Sequence, residues 1–340
     1  MVGIRKIAKE AGISPATVSR VLNNDLSFSV SKQTKQRIKA VANKYHYIPQ
    51  ANKRVSYPQK QLSLLVITTH SLDAESHDPY FAQVHDGIVQ EASKRGMQIK
   101  DFLRFPNKQF QITDAQKYDG IIIAGVFAKE FYADLHTVNS NIVLIDEYRY
   151  LPAYDIIRNS YFDETQLVLS KLLANGISNI SFIGGKIKPM KITGASTDTY
   201  QDIRTKAYLM WMKDHNLTPQ LALNGWAPKD GFQAMQALLP QAPQAVLIAS
   251  DQLAIGAYRA INQCGKSIPN DLQIISYNDS NIAAYLVPSL SSINPHSSMM
   301  GRIAVQRLVN RIYHPHELPI HLNLPAGITW RESSVINLSK

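Results

Sequence analysis

Residues 4–23 read Ile4-Arg5-Lys6-Ile7-Ala8-Lys9-Glu10-Ala11-Gly12-Ile13-Ser14-Pro15-Ala16-Thr17-Val18-Ser19-Arg20-Val21-Leu22-Asn23. Ile4, Ile7, Ala8 and Ala11 recur at helical spacing, which predicts a short first helix with one apolar face. Gly12 breaks it, being free to adopt positive φ. Ser14 can cap a second helix, and Pro15 suits the first helical position, where an N–H would have no intrahelical partner. Val18, Val21 and Leu22 then turn inward, while Ala16, Thr17 and Arg20 turn outward. Ser31 is placed to cap a third helix that buries Ile38, Val41 and Ala42. This pattern is a helix-turn-helix braced by a third helix, whose second helix is built to enter a major groove.

The charge of the chain agrees. Residues 1–60 contain 12 Lys or Arg against two acids, Glu10 and Asp25, and residues 61–340 carry 24 of each sign, so the net charge of +10 lies in the first module. A cationic block of this kind attracts phosphate and releases counterions from DNA. On the outward face, Arg20 can bond guanine O6 and N7, Ala16 can sit against a thymine methyl, and Thr17 or Ser19 can hold phosphate.

The 4–23 stretch resembles the N-terminal signature of the lactose/galactose repressor family of bacterial transcription regulators. The likeness continues through Tyr47-Ile48-Pro49 and, more loosely, to Arg331-Glu332-Ser333-Ser334, and so covers essentially the whole chain. Within the family it is most similar to galactose-type repressors of low-GC Gram-positive bacteria. With the resemblance in place, the DNA-contact candidates are Arg5, Ser14, Pro15, Ala16, Thr17, Ser19, Arg20, Asn23, Ser31, Lys53, Arg54 and Val55.

Bulk properties set bounds. A length of 340 residues with 45% hydrophobic content suits a DNA-binding module plus a two-lobed globular core. No apolar run approaches the ~20 residues needed to span a membrane. Met1-Val2-Gly3-Ile4-Arg5-Lys6 leads into no secretory apolar core, so no signal peptide is expected. Cys264 is the one cysteine, which excludes an internal disulfide and fits a reducing cytoplasm.

Beyond residue 61 short apolar runs alternate with helix-like segments. Leu62–Ile67, Gly120–Ala124, Ile142–Ile145, Ile180–Ile183, Ala245–Ala249 and Leu272–Tyr277 suit strands of buried parallel sheets, and a helix is expected from about Tyr80 to Arg95, stopped by Gly96. The expected fold is α/β: a helix-turn-helix domain over 1–46, a hinge over 47–61, and a core over 62–340 with doubly wound parallel sheets. The resemblance implies a periplasmic-binding-protein-like core of two lobes around a cleft. It also implies three crossings, which we place near residues 160, 292 and 325. Lobe 1 would then hold about 62–160 and 292–325, and lobe 2 about 161–291 and 326–340. The family hinge becomes a helix on DNA and wedges a leucine from each subunit into the minor groove. Here Ser56 stands at the leucine's place and Val55 is the nearby apolar residue, so a plain tether is the competing reading.

Ligands of doubly wound sheets bind beyond the carboxyl ends of the strands. Asp146 ends the Ile142–Ile145 run, where a carboxylate could accept two sugar hydroxyls. The resemblance adds Tyr80 and Phe81, Arg204, Trp226, Asp251 and Asn278. Arg204 precedes Tyr208 by four residues, and a guanidinium there can fork two vicinal oxygens. Trp226 precedes Phe232 by six, the spacing of the family's sugar-stacking tryptophan. Ser250 and Asn278 depart from the family's usual Asn and Asp. The competing structural readings make Tyr80, Phe81 and Trp226 packing residues, and Asp146 and Asp251 helix caps.

Enzyme readings lack a constellation. No G-x-G-x-x-G or G-x-S-x-G occurs. Gly265-Lys266-Ser267 lacks the earlier glycine of a phosphate loop, because residue 260 is Ala260, and His314-x-His316 has no companion ligands. No cofactor and no metal are expected. The expected partners are pseudo-palindromic operator DNA, a galactose- or galactoside-like effector and a second copy of the chain, since no leucine heptads follow Arg331. The alternatives are a purine-type corepressor-dependent regulator, a phosphocarrier-dependent pleiotropic regulator, and an enzyme fused to a DNA-binding module.

Overall fold

The computed structural model describes residues 4–22, 28–45, 61–77, 79–107, 109–192, 194–195 and 199–336. They fall into two compact units, 1–60 and 61–340.

In the first unit, α1 (Ile4–Ala11), α2 (Pro15–Leu22) and α3 (Lys32–Lys44) follow one another. Ile7, Val18 and Ile38 are fully buried at their common centre, with Ala8, Ala11 and Val21 around them. Each large aliphatic there contributes about 1.5–3 kcal/mol by leaving water, a substantial share of the stability of so small a unit. Gly12 takes φ +64°, the left-handed turn between α1 and α2. Ser14 accepts the Thr17 N–H at 3.1 Å and Ser31 accepts the Thr34 N–H at 3.1 Å, so both serines cap the helices they precede.

The second unit holds two sheets. The chain enters lobe 1 through β1 (Ser63–Thr68), α4 (Leu72–His77), α5 (Pro79–Lys94), β2 (Gln98–Arg104), β3 (Gly120–Ala124), α6 (Lys129–Val138), β4 (Ile142–Ile145) and β5 (Asp155–Asn159). Lobe 2 follows with α7 (Tyr161–Ala174), β6 (Ile180–Gly184), the short strands β7 (Met190–Lys191) and β8 (Gly194–Ala195), α8 (Ile203–Asp214), β9 (Gln220–Leu223), α9 (Pro228–Leu238), β10 (Ala245–Ile248), α10 (Asp251–Gln263), β11 (Gln273–Tyr277), α11 (Asn281–Tyr285) and β12 (Ser291–Asn294). The chain returns to lobe 1 for α12 (Ser297–Tyr313) and β13 (His321–Leu324), then ends in lobe 2 with β14 (Gly327–Thr329).

The sheet of lobe 1 runs β13-β5-β4-β3-β1-β2, every pair parallel. That of lobe 2 runs β14-β12-β11-β10-β6-β9, parallel except for β14. The central strands β1, β3, β4, β6 and β10 are buried along their whole length, as continuous Ile/Leu/Val runs covered by helices on both faces must be. In lobe 1, α5 and α12 approach until a Cβ on Gly87 would meet the Ser298 carbonyl at 2.0 Å and one on Gly301 the Val84 carbonyl at 2.1 Å, so only glycine fits at either place. β12 is a parallel partner of β11, with Ile275 opposite Ser291 and Tyr277 opposite Ile293, and the chain leaves lobe 2 after Asn294.

Candidate functional site

On the first unit, Ser14, Pro15, Ala16 and Arg20 are exposed at the start and outer face of α2, and Thr17 and Ser19 are half-buried beside them. Arg5 is exposed on α1. The Arg20 guanidinium lies 5.1 Å from the Phe28 ring centre, which limits its freedom before any DNA arrives. Ser31 spends its oxygen on capping α3. Asn23 lies outside the described residues, and so do Lys53, Arg54, Val55 and Ser56 with the hinge up to residue 60.

In the second unit the strand ends of the two lobes face one another. On lobe 1, Asp146 follows β4 at φ +65°, a left-handed turn that an aspartate tolerates. It accepts the Tyr80 hydroxyl at 3.1 Å. Asn159, at the end of β5, donates to the same hydroxyl at 3.4 Å and accepts that of Tyr148 at 2.7 Å. Burial pushes the Asp146 carboxyl up to about 6; the Arg204 guanidinium pulls it down and the Asp202 carboxylate raises it further. Phe81 stacks on His70 with ring centres 3.7 Å apart, and burial holds that histidine at about 4, hence neutral.

On lobe 2, Asp202 caps α8 by accepting the Arg204 N–H at 2.9 Å. The Arg204 side chain folds back on the same carboxylate, Nε to Oδ1 at 2.8 Å and Nη2 to Oδ2 at 2.6 Å, while Nη1 donates to the Ala249 carbonyl at 2.6 Å. Three aromatic rings surround this guanidinium: Trp226 at 5.1 Å, Tyr161 at 5.2 Å and Tyr277 at 5.6 Å. Trp226 is half-buried and donates from Nε1 to the Lys186 carbonyl at 3.3 Å. Asn278, at φ +99° after β11, accepts the Tyr161 hydroxyl at 2.8 Å.

Asp251 plays another part. It is 1% exposed, and its two oxygens take the hydroxyls of Ser276, Ser280 and Ser292 together with the Ser280 N–H. Its carboxylate is thus filled from within lobe 2 and anchors the start of α10 to β11 and β12. Reading Asp251 as an effector contact is set aside for this reason, and Ser250, which accepts the Leu253 N–H at 3.3 Å, is the cap of α10.

Sequence reasoning did not single out Asp202, Tyr148, Tyr161 or Tyr277. Asp202 was within reach, since Asp-x-Arg at a helix start lets one carboxylate cap the backbone and hold the arginine. The tyrosines come from three separate segments, and no local spacing links them. The Arg331 motif near the C-terminus proves to be a brace: Arg331 donates to Asp279 at 2.7 Å and to the Leu290 carbonyl at 2.8 Å, fixing the turn that carries Asn278.

A basic three-helix reading head, and a separate core of two largely parallel sheets whose strand ends face across a polar and aromatic cleft, define a DNA-binding regulator with a small-molecule-binding fold. Residues 3–50 match the profile described as "Bacterial regulatory proteins, lacI family", and residues 169–334 match "Periplasmic binding protein-like domain". Over its length the chain is similar to the HTH-type transcriptional regulator GalR of Lacticaseibacillus casei, 29% identical with 98% of this chain and 100% of the relative covered. It is likewise similar to the HTH-type transcriptional repressor MelR of Bacillus subtilis (strain 168), 30% identical with 98% and 97% covered. Among solved structures, the Lac repressor dimer bound to operator and the anti-inducer ONPF superposes with a TM-score of 0.68 at 23% identity, covering 98% of each chain, which shows a shared fold. The chain belongs to the lacI family of bacterial regulatory proteins. It is a transcriptional regulator, as the sequence led us to expect. Among the described residues no helix is long and apolar enough to cross a membrane.

Proposed function

We propose that this protein is a cytoplasmic, homodimeric repressor of a carbohydrate-utilisation operon, released from a pseudo-palindromic operator when a neutral sugar of galactose or galactoside type fills the cleft. The observation that carries the reading is the composition of that cleft. Asp146 on one lobe stands opposite an Arg204–Asp202 pair on the other, with Tyr161, Trp226 and Tyr277 around the pair. Carboxylates and a partly engaged guanidinium are acceptors and donors for hydroxyls, and indole and phenol faces suit the C–H side of a pyranose. Names of relatives such as GalR and MelR support the sugar class.

Two copies would place two α2 helices on two half-sites, about one helical turn of DNA apart. Effector binding acts on that complex only through its different affinity for the DNA-competent and DNA-incompetent arrangements of the lobes. Calorimetry on the full chain with galactose, melibiose, ribose and hypoxanthine tests the effector. A neutral sugar should bind, and Trp226→Ala and Arg204→Ala should each weaken it by tenfold or more. Binding of the purine alone, with tighter hold on DNA, would replace this reading by the corepressor one.

A further inference from the structure

One element of the core belongs to neither large sheet and reaches from lobe 2 onto lobe 1. After β6 the chain leaves lobe 2 at Gly185 and forms an arm. Its base is an antiparallel bridge between Ile187 and Tyr200, with the Tyr200 N–H donating to the Ile187 carbonyl at 2.8 Å. Further out, Met190–Lys191 pairs antiparallel with Gly194–Ala195, and Gly194 adopts φ +147°, which side-chain-bearing residues rarely reach.

The arm is docked on lobe 1 by three independent sets of contacts. Met190 bridges Phe127 in parallel: its N–H donates to the Val126 carbonyl at 2.9 Å and its carbonyl accepts the Ala128 N–H at 2.9 Å. The side chains of Met190 and Ile192 pack on the aromatic core of lobe 1 that contains Phe127. At the returning limb, the Tyr200 ring lies 5.6 Å from the Arg149 guanidinium, whose other neighbour is the Tyr132 ring of lobe 1 at 5.7 Å. Arg149 cannot swing away cheaply, because Glu147, fully buried, takes its Nε at 2.8 Å and the Phe127 carbonyl takes its Nη2 at 2.5 Å.

Both roots of the arm lie at the cleft. At one, a Cβ on Gly185 would meet the Trp226 indole at 2.4 Å, and Trp226 donates to the Lys186 carbonyl. At the other, Tyr200 runs directly into Asp202 and Arg204. Movement of the arm relative to lobe 1 therefore moves the backbone that carries half of the cleft.

We propose that the arm is a clasp that fixes the mutual arrangement of the two lobes in the effector-free protein. The three interlobe crossings are chain segments able to act as hinges, and an added contact made in only one arrangement biases that equilibrium by its own free energy. Occupancy of the cleft and engagement of the clasp are then coupled through Trp226 and Asp202–Arg204. That coupling rests on the sugar-effector reading; the holding of the lobes does not.

The test is an interlobe distance measured without any sugar. Lys129→Cys on lobe 1 and Lys206→Cys on lobe 2, both at exposed positions, carry spin labels in a Cys264→Ser background of the full chain. With the labelled chain diluted in an excess of unlabelled chain, so that labels within one protomer dominate, double electron–electron resonance should give one narrow distance distribution for the otherwise unchanged protein. Met190→Asp combined with Ile192→Asp should at least double its width and add a second population. Tyr200→Ala should do the same in part, and Tyr200→Phe should leave it narrow, since the ring and not the hydroxyl faces Arg149. Tyr200→Ala also serves if the double variant fails to fold, circular dichroism and melting temperature deciding that point. An unchanged narrow distribution in folded Tyr200→Ala and in the folded double variant would overturn the clasp and leave the sugar reading standing. A clasp that opens as expected in a protein that binds no sugar would uphold it while the effector reading falls.

Discussion

The Arg204 guanidinium grips the Asp202 carboxylate two residues before it in a two-pronged pair, with contacts of 2.8 and 2.6 Å. The pair is close to neutral, and burial holds the Asp146 carboxyl opposite it at about 6, an effect that Arg204 offsets only in part. A ligand bringing its own negative charge would face that acid while Arg204 is already held by Asp202. Galactose should therefore bind at least tenfold more tightly than galacturonate or galactose 6-phosphate in parallel calorimetric titrations. Equal or tighter binding of either acid would mean that Arg204 exchanges Asp202 for the ligand.

Asp146 carries a cost of its own. Burial holds its carboxyl at about 6, above the ordinary aspartate range. The folded protein thus binds a proton more readily than the unfolded chain, and stability from this group is full below about pH 4 and declines as pH rises to about 6. Asn in its place carries no charge and accepts the left-handed φ of +65° as well. Asp146→Asn should raise the melting temperature at pH 7.5 by about 2–4 °C, the shift expected from roughly 1 kcal/mol in a chain of this size. It should also abolish sugar binding, and in the parent protein sugar affinity should fall as pH drops through about 6. A variant that gains no stability and still binds would remove Asp146 from the site.

Asp251 should behave in the opposite way. Removing its carboxylate strands three buried serine hydroxyls and a backbone N–H. Asp251→Ala should cost on the order of 2–4 kcal/mol in urea unfolding, with sugar affinity in the folded fraction close to the parent's. Loss of binding at undiminished stability would restore it as a ligand contact.

The reading head makes a separable prediction. Arg20→Ala should lose about 1–3 kcal/mol at one base position per half-site. Lys35→Ala should weaken all sequences alike, if it meets phosphate, and flatten the salt dependence by about one unit of slope. Binding to a panel of single-base operator variants distinguishes the two. A uniform loss for Arg20→Ala would make it a backbone contact.

The first module was readable almost residue by residue, because its signals are local: helical spacing of Ile7, Val18 and Ile38, a turn at Gly12, caps at Ser14 and Ser31. The central strands were equally plain as unbroken apolar runs. Outer strands were not. Gln98–Arg104 is half exposed at the sheet edge, so its pattern carries no buried face to recognise. Asp155–Asn159 opens on an acid that a sequence reader would place outside, yet Asp155 is fully buried because Arg307, Arg311 and the Ile320 N–H converge on it from more than 150 residues away. Effector candidates at strand ends came from position in the fold and from the family pattern. Their partners, Asp202 and the surrounding tyrosines, exist as a group only after folding, and so does the Met190–Phe127 bridge.

The central claim is that a neutral sugar in the cleft releases DNA from the reading head. The direct measurement selects duplexes bound by the full-length protein from a random-sequence pool, then follows the enriched duplex by fluorescence anisotropy while galactose or melibiose is titrated in. The account predicts enrichment of a pseudo-palindrome, a loss of affinity of at least tenfold on adding sugar, and no such loss in Trp226→Ala or Arg204→Ala. A bound duplex that no neutral sugar releases, or that hypoxanthine tightens, would contradict it.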